Sequence, residues 1–275
     1  GLVFKMYAGE SKGGTFPPDQ HQPPNSSPGF LMMPCAYSIF PEYLTDTKTM
    51  FCPSAASMTI ADMYYDAGET QSKLMKYNPQ NTSHDETASC AHIAHWWEMC
   101  ESYGYFGWLL DRCDGSYATP AATATITAVA SAMGITVPAG VAVPPQFAET
   151  LLSLAGKGVF TDSPPTYSEG FKIMDSDLTV NSDGSGGGTS IYRLREGIER
   201  FLITDINNPA ASAKAQSEIV VMFDAVATNG ENFNHIPGGS NVLYMDGHVQ
   251  FVRYEQNGEF PVNGTVALLV GLTAS

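Results

Sequence analysis

The chain has 275 residues, of which 43% are hydrophobic and 15% charged. Its 28 acidic residues against 13 basic ones leave a formal net charge of -15, which repels phosphate backbones and excludes nucleic acid and anionic lipid as partners. The length suits one substantial core, so residues 1–275 are read as a single globular domain of the α+β class. A low charged fraction with plentiful Gly, Ser, Thr, Asn and Pro suits an extracellular surface.

Leu2, Val3, Met6 and Tyr7 recur at helical spacing, and Gly9 followed by Gly13 and Gly14 closes the pattern. Residues 1–9 therefore read as the end of an assembly helix that continues upstream. The string Gly9-Glu10-Ser11-Lys12-Gly13 matches the G-x-S-x-G of a nucleophile elbow. An elbow needs a strand before the Ser and a helix after it, whereas here a helix comes first and a Pro-rich loop follows. Ser11 is set aside on that ground. Residues 16–28 read as a surface loop and 42–54 as a short strand closed by Pro53.

Ser83 and Glu86 form a capping box, and Ile93, Trp96, Trp97 and Cys100 continue at helical period, predicting a helix over 84–101. The run from Tyr103 to Leu110 is aromatic and strand-like. Residues 114–165 form an Ala/Thr/Pro-rich insertion whose uncharged stretch is too short and too polar for a membrane span. Near its end, Pro144 and Pro145 open a helix with Phe147, Leu151 and Leu154 on one face, stopped by Gly156. Residues 175–189 make a polar, Gly-rich loop. Beyond them Tyr192, Leu194, Ile198, Phe201 and Leu202 form an apolar stripe, with Arg195–Glu199 and Glu196–Arg200 spaced as helical ion pairs. This predicts a helix ended by Asn207, Asn208 and Pro209, followed by a buried strand over 219–223. Two strand-like runs, 241–245 and 248–254, flank Asp246-Gly247, which predicts a hairpin over 240–255 closed by a two-residue type I′ turn. Residues 260–262 read as a last short extended piece.

The five cysteines show no zinc-ribbon spacing. In an oxidising compartment they supply disulfides, with Cys90, Cys100 and Cys113 as the pool. His92 and His95, beside Cys90, make one edge of a metal site without a further ligand at recognisable spacing. Asp175, Asp177 and Asp183, with Asn181 among them, place hard oxygen ligands on one flexible loop and are the candidate calcium ligands. Asp224 and Asp246 are a second, weaker pair. Trp96, Trp97, Tyr103, Tyr105 and Trp108 would serve as an aromatic platform for polysaccharide if exposed, although core packing is the commoner fate of such residues.

The segment from Gly1 to Pro18, with its helix tail, Gly-rich break and Phe16-Pro17-Pro18, resembles the region after the hydrophobic helix of type II secretion pseudopilins. The finish, from His235 through Gly238, Gly239 and Asn241 to Asp246-Gly247, resembles the C-terminal signature of the pilin-like proteins of planctomycetes and verrucomicrobia. Ten residues, 236 to 245, separate His235 from Asp246, one more than that signature usually has. Phe51-Cys52-Pro53-Ser54 and the run from Tyr192 to Ala211 are similar to the same group, and the insertion has no counterpart in it.

The resemblance implies a pilin-like head, with the tail of a truncated N-terminal helix packed on an antiparallel β-sheet, a C-terminal β-hairpin and helical insertions. It implies a structural subunit, not an enzyme, of an extracellular filament or a secretion pseudopilus. Such a subunit assembles with itself and with other pilin-like subunits, lies at the cell surface or faces the periplasm, and meets the membrane only through the preceding helix. His235, Gly238, Gly239, Asn241, Asp246 and Gly247 enter as structural markers. Some pseudopilins bind calcium near the C-terminus, in line with the calcium expectation. The alternative function is a secreted carbohydrate-binding surface module.

Overall fold

The computed structural model describes residues 1–21, 30–55, 102–132, 136–160, 167–202, 215–227, 233–235 and 238–273 of the chain. The helix expected over 84–101, with Cys90, His92, His95, Trp96, Trp97 and Cys100, lies outside these residues, as does the expected stop at Asn207-Asn208-Pro209.

The chain opens with α1 (Leu2–Glu10), whose buried residues are Phe4 and Ala8. A helix this short draws its stability from tertiary packing and not from propensity. Phe4 stacks on Tyr105 at 5.2 Å and on Phe16 at 5.9 Å between centroids. The stripe expected from spacing is therefore turned: Val3 and Tyr7 flank the buried line, while Leu2 is 74% and Met6 45% exposed. Ser11 ends the helix and its hydroxyl donates to the carbonyl of Thr15 at 2.7 Å.

A small antiparallel pair follows, β1 (Asp19–His21) with β2 (Phe30–Pro34), leading into the short α2 (Ala36–Ile39). Leu31, Met33, Ala36, Ile39, Leu44 and Met50 form their own cluster, against which Val3 of α1 packs. The strand expected over 42–54 is not formed. Asp46 instead accepts a hydrogen bond from the Lys48 amide and caps a 3-10 turn, Thr47–Met50.

The central element is a four-stranded antiparallel sheet in the order β3 (Tyr103–Tyr105), β6 (Val220–Asp224), β7 (Gly239–Tyr244), β8 (Val249–Arg253). Its two faces are buried differently, by strand alternation along β7 and, in β6, through a register shift between Val220 and Met222 that turns Val221 and Phe223 to opposite sides. Val221, Leu243 and Met245 belong to the cluster that receives Phe4 and Ala8 of α1. Phe223, Val242, Tyr244 and Val252 belong to the larger cluster on the other side. That side is covered by α3 (Pro120–Ala132) and α4 (Pro145–Gly156), with Ile126, Phe147 and Leu154 in the cluster. It is also covered by the helix near the C-terminus, α6 (Gly264–Thr273), through Val266, Ala267 and Leu269. The insertion thus completes the main core. The piece expected over 260–262 is a turn into α6. Between these units lie α5 (Tyr167–Met174) and the short pair β4 (Leu178–Thr179) with β5 (Ser190–Ile191).

Two further expectations are corrected. The stripe from Tyr192 to Leu202 is not a helix. Its first half runs extended, bridging Trp108 with Arg193 and Thr15 with Arg195, and only Ile198–Phe201 coils, as a 3-10 turn. Gly197 sits left-handed at φ 75 and breaks any continuous helix. The extended path serves Arg193, which is 1% exposed and donates to the carbonyls of Gly107 and Phe16 at 2.6 Å each. Asp19, fully buried beside it, accepts the Gly107 amide at 2.7 Å. Backbone and ionic demands at this centre override the helical spacing of the sequence.

The hairpin over 240–255 is present, but its turn differs from the type I′ expectation. Gly247 has φ 93 while Asp246 is not in the positive-φ region, and the Gly247 amide donates to Tyr244. This is a three-residue loop, a turn followed by a left-handed Gly. Asp246 holds it by accepting the His248 amide at 3.0 Å. Among the described residues no helix is long and apolar enough to cross a membrane.

Candidate functional site

Among the described residues, one group of metal-capable side chains converges: Cys52, Asp224 and His235, whose donor atoms lie within 4.8 Å of one another. Three separate segments supply them. Asp224 is the last residue of β6, opposite Tyr103 of β3. Its carbonyl accepts the Ser240 hydroxyl at 2.8 Å, and its Oδ2 accepts the Asn241 backbone amide at 3.0 Å and the Asn241 side-chain amide at 2.8 Å. Cys52 follows the 3-10 turn, and its amide donates to the Ser102 hydroxyl at 3.1 Å. The Ser102 carbonyl in turn accepts from the Ala225 amide and from the Asn234 side chain. His235 precedes β7 and brings Nε2 to 2.8 Å from Asp224 Oδ2 and to 3.7 Å from Cys52 Sγ.

The same imidazole nitrogen faces both the carboxylate and the sulfur. A nucleophilic relay needs the carboxylate on one ring nitrogen and the nucleophile on the other, so this is not a Cys-His-Asp relay. Burial, with the Asp224 carboxylate beside it, pushes the Cys52 thiol pKa up, which disfavours the reactive thiolate. Tyr103 is pushed up to about 12 by burial and then by Cys52 and Asp224. The three donors are soft, borderline and hard, and they lie close enough to one another to be able to hold one metal ion.

The signature residues now have physical roles. His235 touches Asp224 before β7 begins, Asn241 holds the same carboxylate from within β7, and Asp246-Gly247 turns the chain after it. The six residues of β7 therefore lie between His235 and Asp246. Gly239 has no room for a Cβ, which would strike the Phe251 ring and the Val252 carbonyl across the hairpin.

The candidate calcium ligands are placed differently. Asp175 lies 3.6 Å from the Arg193 guanidinium, and Asp177 pairs with Arg195 and accepts the Arg193 amide at 2.7 Å. Asp183 accepts the Ser182 hydroxyl at 2.8 Å. The three carboxylates do not converge, and a cation there would have to displace two guanidinium groups. Asp224 and Asp246 stand before and after β7 and share no site. Cys113 is a free, buried thiol that donates to Gln146 Oε1 at 3.3 Å, and among the described residues Cys35 and Cys52 are also unbridged. Trp108 is 2% exposed and Tyr105 fully buried, so neither belongs to a surface platform.

Of the converging set, Cys52 stands out in the sequence only for its Phe-Cys-Pro context, and His235 only as a marker. No spacing signal unites them, because Cys52 lies far along the chain from the other two and the short gap from Asp224 to His235 matches no metal-ligand motif. Comparison with protein families, with curated proteins and with solved structures finds no match to this chain.

Proposed function

We propose that the protein is a pilin-like structural subunit of an extracellular filament or secretion pseudopilus, assembling with its own copies and related subunits. One observation carries the reading: α1 docks on the antiparallel sheet through Phe4 and Ala8 and turns Leu2 and Met6 outward, one helical turn apart. A helix that binds its own head with one face and offers apolar side chains on the other suits packing among identical helices. Val249 at 61% and Phe251 at 56% exposure, on the edge strand β8, add apolar surface suited to contact between heads. The excess of acidic residues suits an exterior that stays soluble.

The test has two parts. The coding sequence before Gly1 should specify a long apolar helix continuous with α1. In cells producing the full-length protein, Leu2→Asp with Met6→Asp should abolish surface filaments while the head keeps its circular-dichroism spectrum and melting temperature. Filaments that persist with both aspartates would overturn the reading.

A further inference from the structure

We propose that Cys52, Asp224 and His235 bind a divalent transition-metal ion of the zinc type, clamping the Cys52 segment and the His235 segment to the end of β6. The geometry is near what such an ion takes. Zinc bonds of about 2.3 Å to sulfur and about 2.0 Å to nitrogen place tetrahedral ligands about 3.5 Å apart, and Cys52 Sγ stands 3.7 Å from His235 Nε2. The 2.8 Å between His235 Nε2 and Asp224 Oδ2 opens by about 0.5 Å to reach a tetrahedral edge. The His235 side chain is 26% exposed, so a small rotation there supplies that opening.

The donor set selects the ion. One thiol sulfur, one imidazole and one carboxylate suit zinc or its neighbours and do not suit calcium or magnesium, which take oxygen alone. The supporting shell is already built. Asn241 fixes the Asp224 carboxylate with two hydrogen bonds, and Ser102 fixes the Cys52 backbone. Partners of this kind orient metal ligands. Asp224 is 5% and Cys52 3% exposed, so two ligands are buried and the partly exposed His235 provides the path in. Three protein ligands leave one position for water or an outside donor. Binding sends the thiol proton to solvent and moves the His235 ring proton from Nε2 to Nδ1, so that Nε2 and Asp224 Oδ2 exchange their hydrogen bond for two metal bonds.

The test uses the whole chain, stripped with chelator and titrated with zinc by calorimetry and with cobalt by absorption spectroscopy. One equivalent should bind, with a sulfur-to-cobalt charge-transfer band. Cys52→Ser should remove that band, and His235→Ala should weaken zinc binding by about 100-fold or more, since loss of supporting residues alone costs 10- to 100-fold. Asn241→Ala should weaken it by about tenfold. His235 is partly exposed, so its variant keeps the question open to a clear answer even if Cys52→Ser fails to fold. No zinc binding by the wild-type chain, or binding unchanged in both Cys52→Ser and His235→Ala, overturns the proposal. The filament reading stands or falls separately, because it rests on α1.

Discussion

Replacing Phe4 with Ala tests the seating of α1. The Phe4 ring is 4% exposed and lies between the rings of Tyr105 and Phe16. Truncating a packed Phe to Ala costs about 3–5 kcal/mol from lost transfer energy and the cavity left behind. A nine-residue helix can shift to refill part of that hole, which places the expected loss near the lower end, about 3 kcal/mol. Leu2→Ala on the opposite face, where the side chain is 74% exposed, should change stability by about 0.5 kcal/mol or less. Urea unfolding followed by circular dichroism measures both, with the midpoint falling at constant slope for Phe4→Ala. If the two variants lose equal stability, or Leu2→Ala loses more, then α1 is rotated from the orientation described and the outward apolar face is lost with it.

Two further outcomes follow from the buried ionisable groups. Burial lowers the His21 pKa from 6.5 to about 4, so the unfolded chain binds its proton first. The contribution of His21 is present above pH 6.5 and is lost as pH falls towards 4, by up to about 3 kcal/mol at about 1.4 kcal/mol per unit. Asp19, raised to about 8 by burial against the pull of Arg193, acts in the opposite sense, its contribution declining as pH rises from 4 to 8. The difference between wild type and His21→Leu across pH 4 to 7 isolates the first effect, and a difference that stays flat refutes it. A Cβ at Gly107 would overlap both the Arg193 guanidinium and the Asp19 carboxylate, neither of which has room to move. Gly107→Ala should therefore cost about 1–3 kcal/mol, the range for overpacking a closed core, and a thermal melt within a degree of wild type would contradict this.

Features with local causes were legible in the sequence. Pro145 at the first turn marks α4 correctly, and Asp246-Gly247 marks the hairpin although the loop holds one residue more. The stripe from Tyr192 to Leu202 misled because its apolar spacing is compatible with a helix, while the buried demands of Arg193 and the left-handed Gly197 are long-range facts. Helix α6 escaped because Val266, Ala267, Leu268 and Leu269 are all buried, and a helix buried on every side shows no periodic face. The converging site was only half visible. His235, Asn241 and the Phe51-Cys52-Pro53 string stood out by resemblance, yet nothing in their spacing linked them to Asp224, because strand pairing and not sequence proximity brings them together.

The most direct measurement is a helical reconstruction, by cryo-electron microscopy, of filaments sheared from cells that make the full-length protein. It should show one head per helical repeat, with α1 running inward from the sheet and Leu2 and Met6 in contact with neighbouring helices. Surface material without the head, or a head whose Leu2 and Met6 face open solvent in the assembly, would contradict the account.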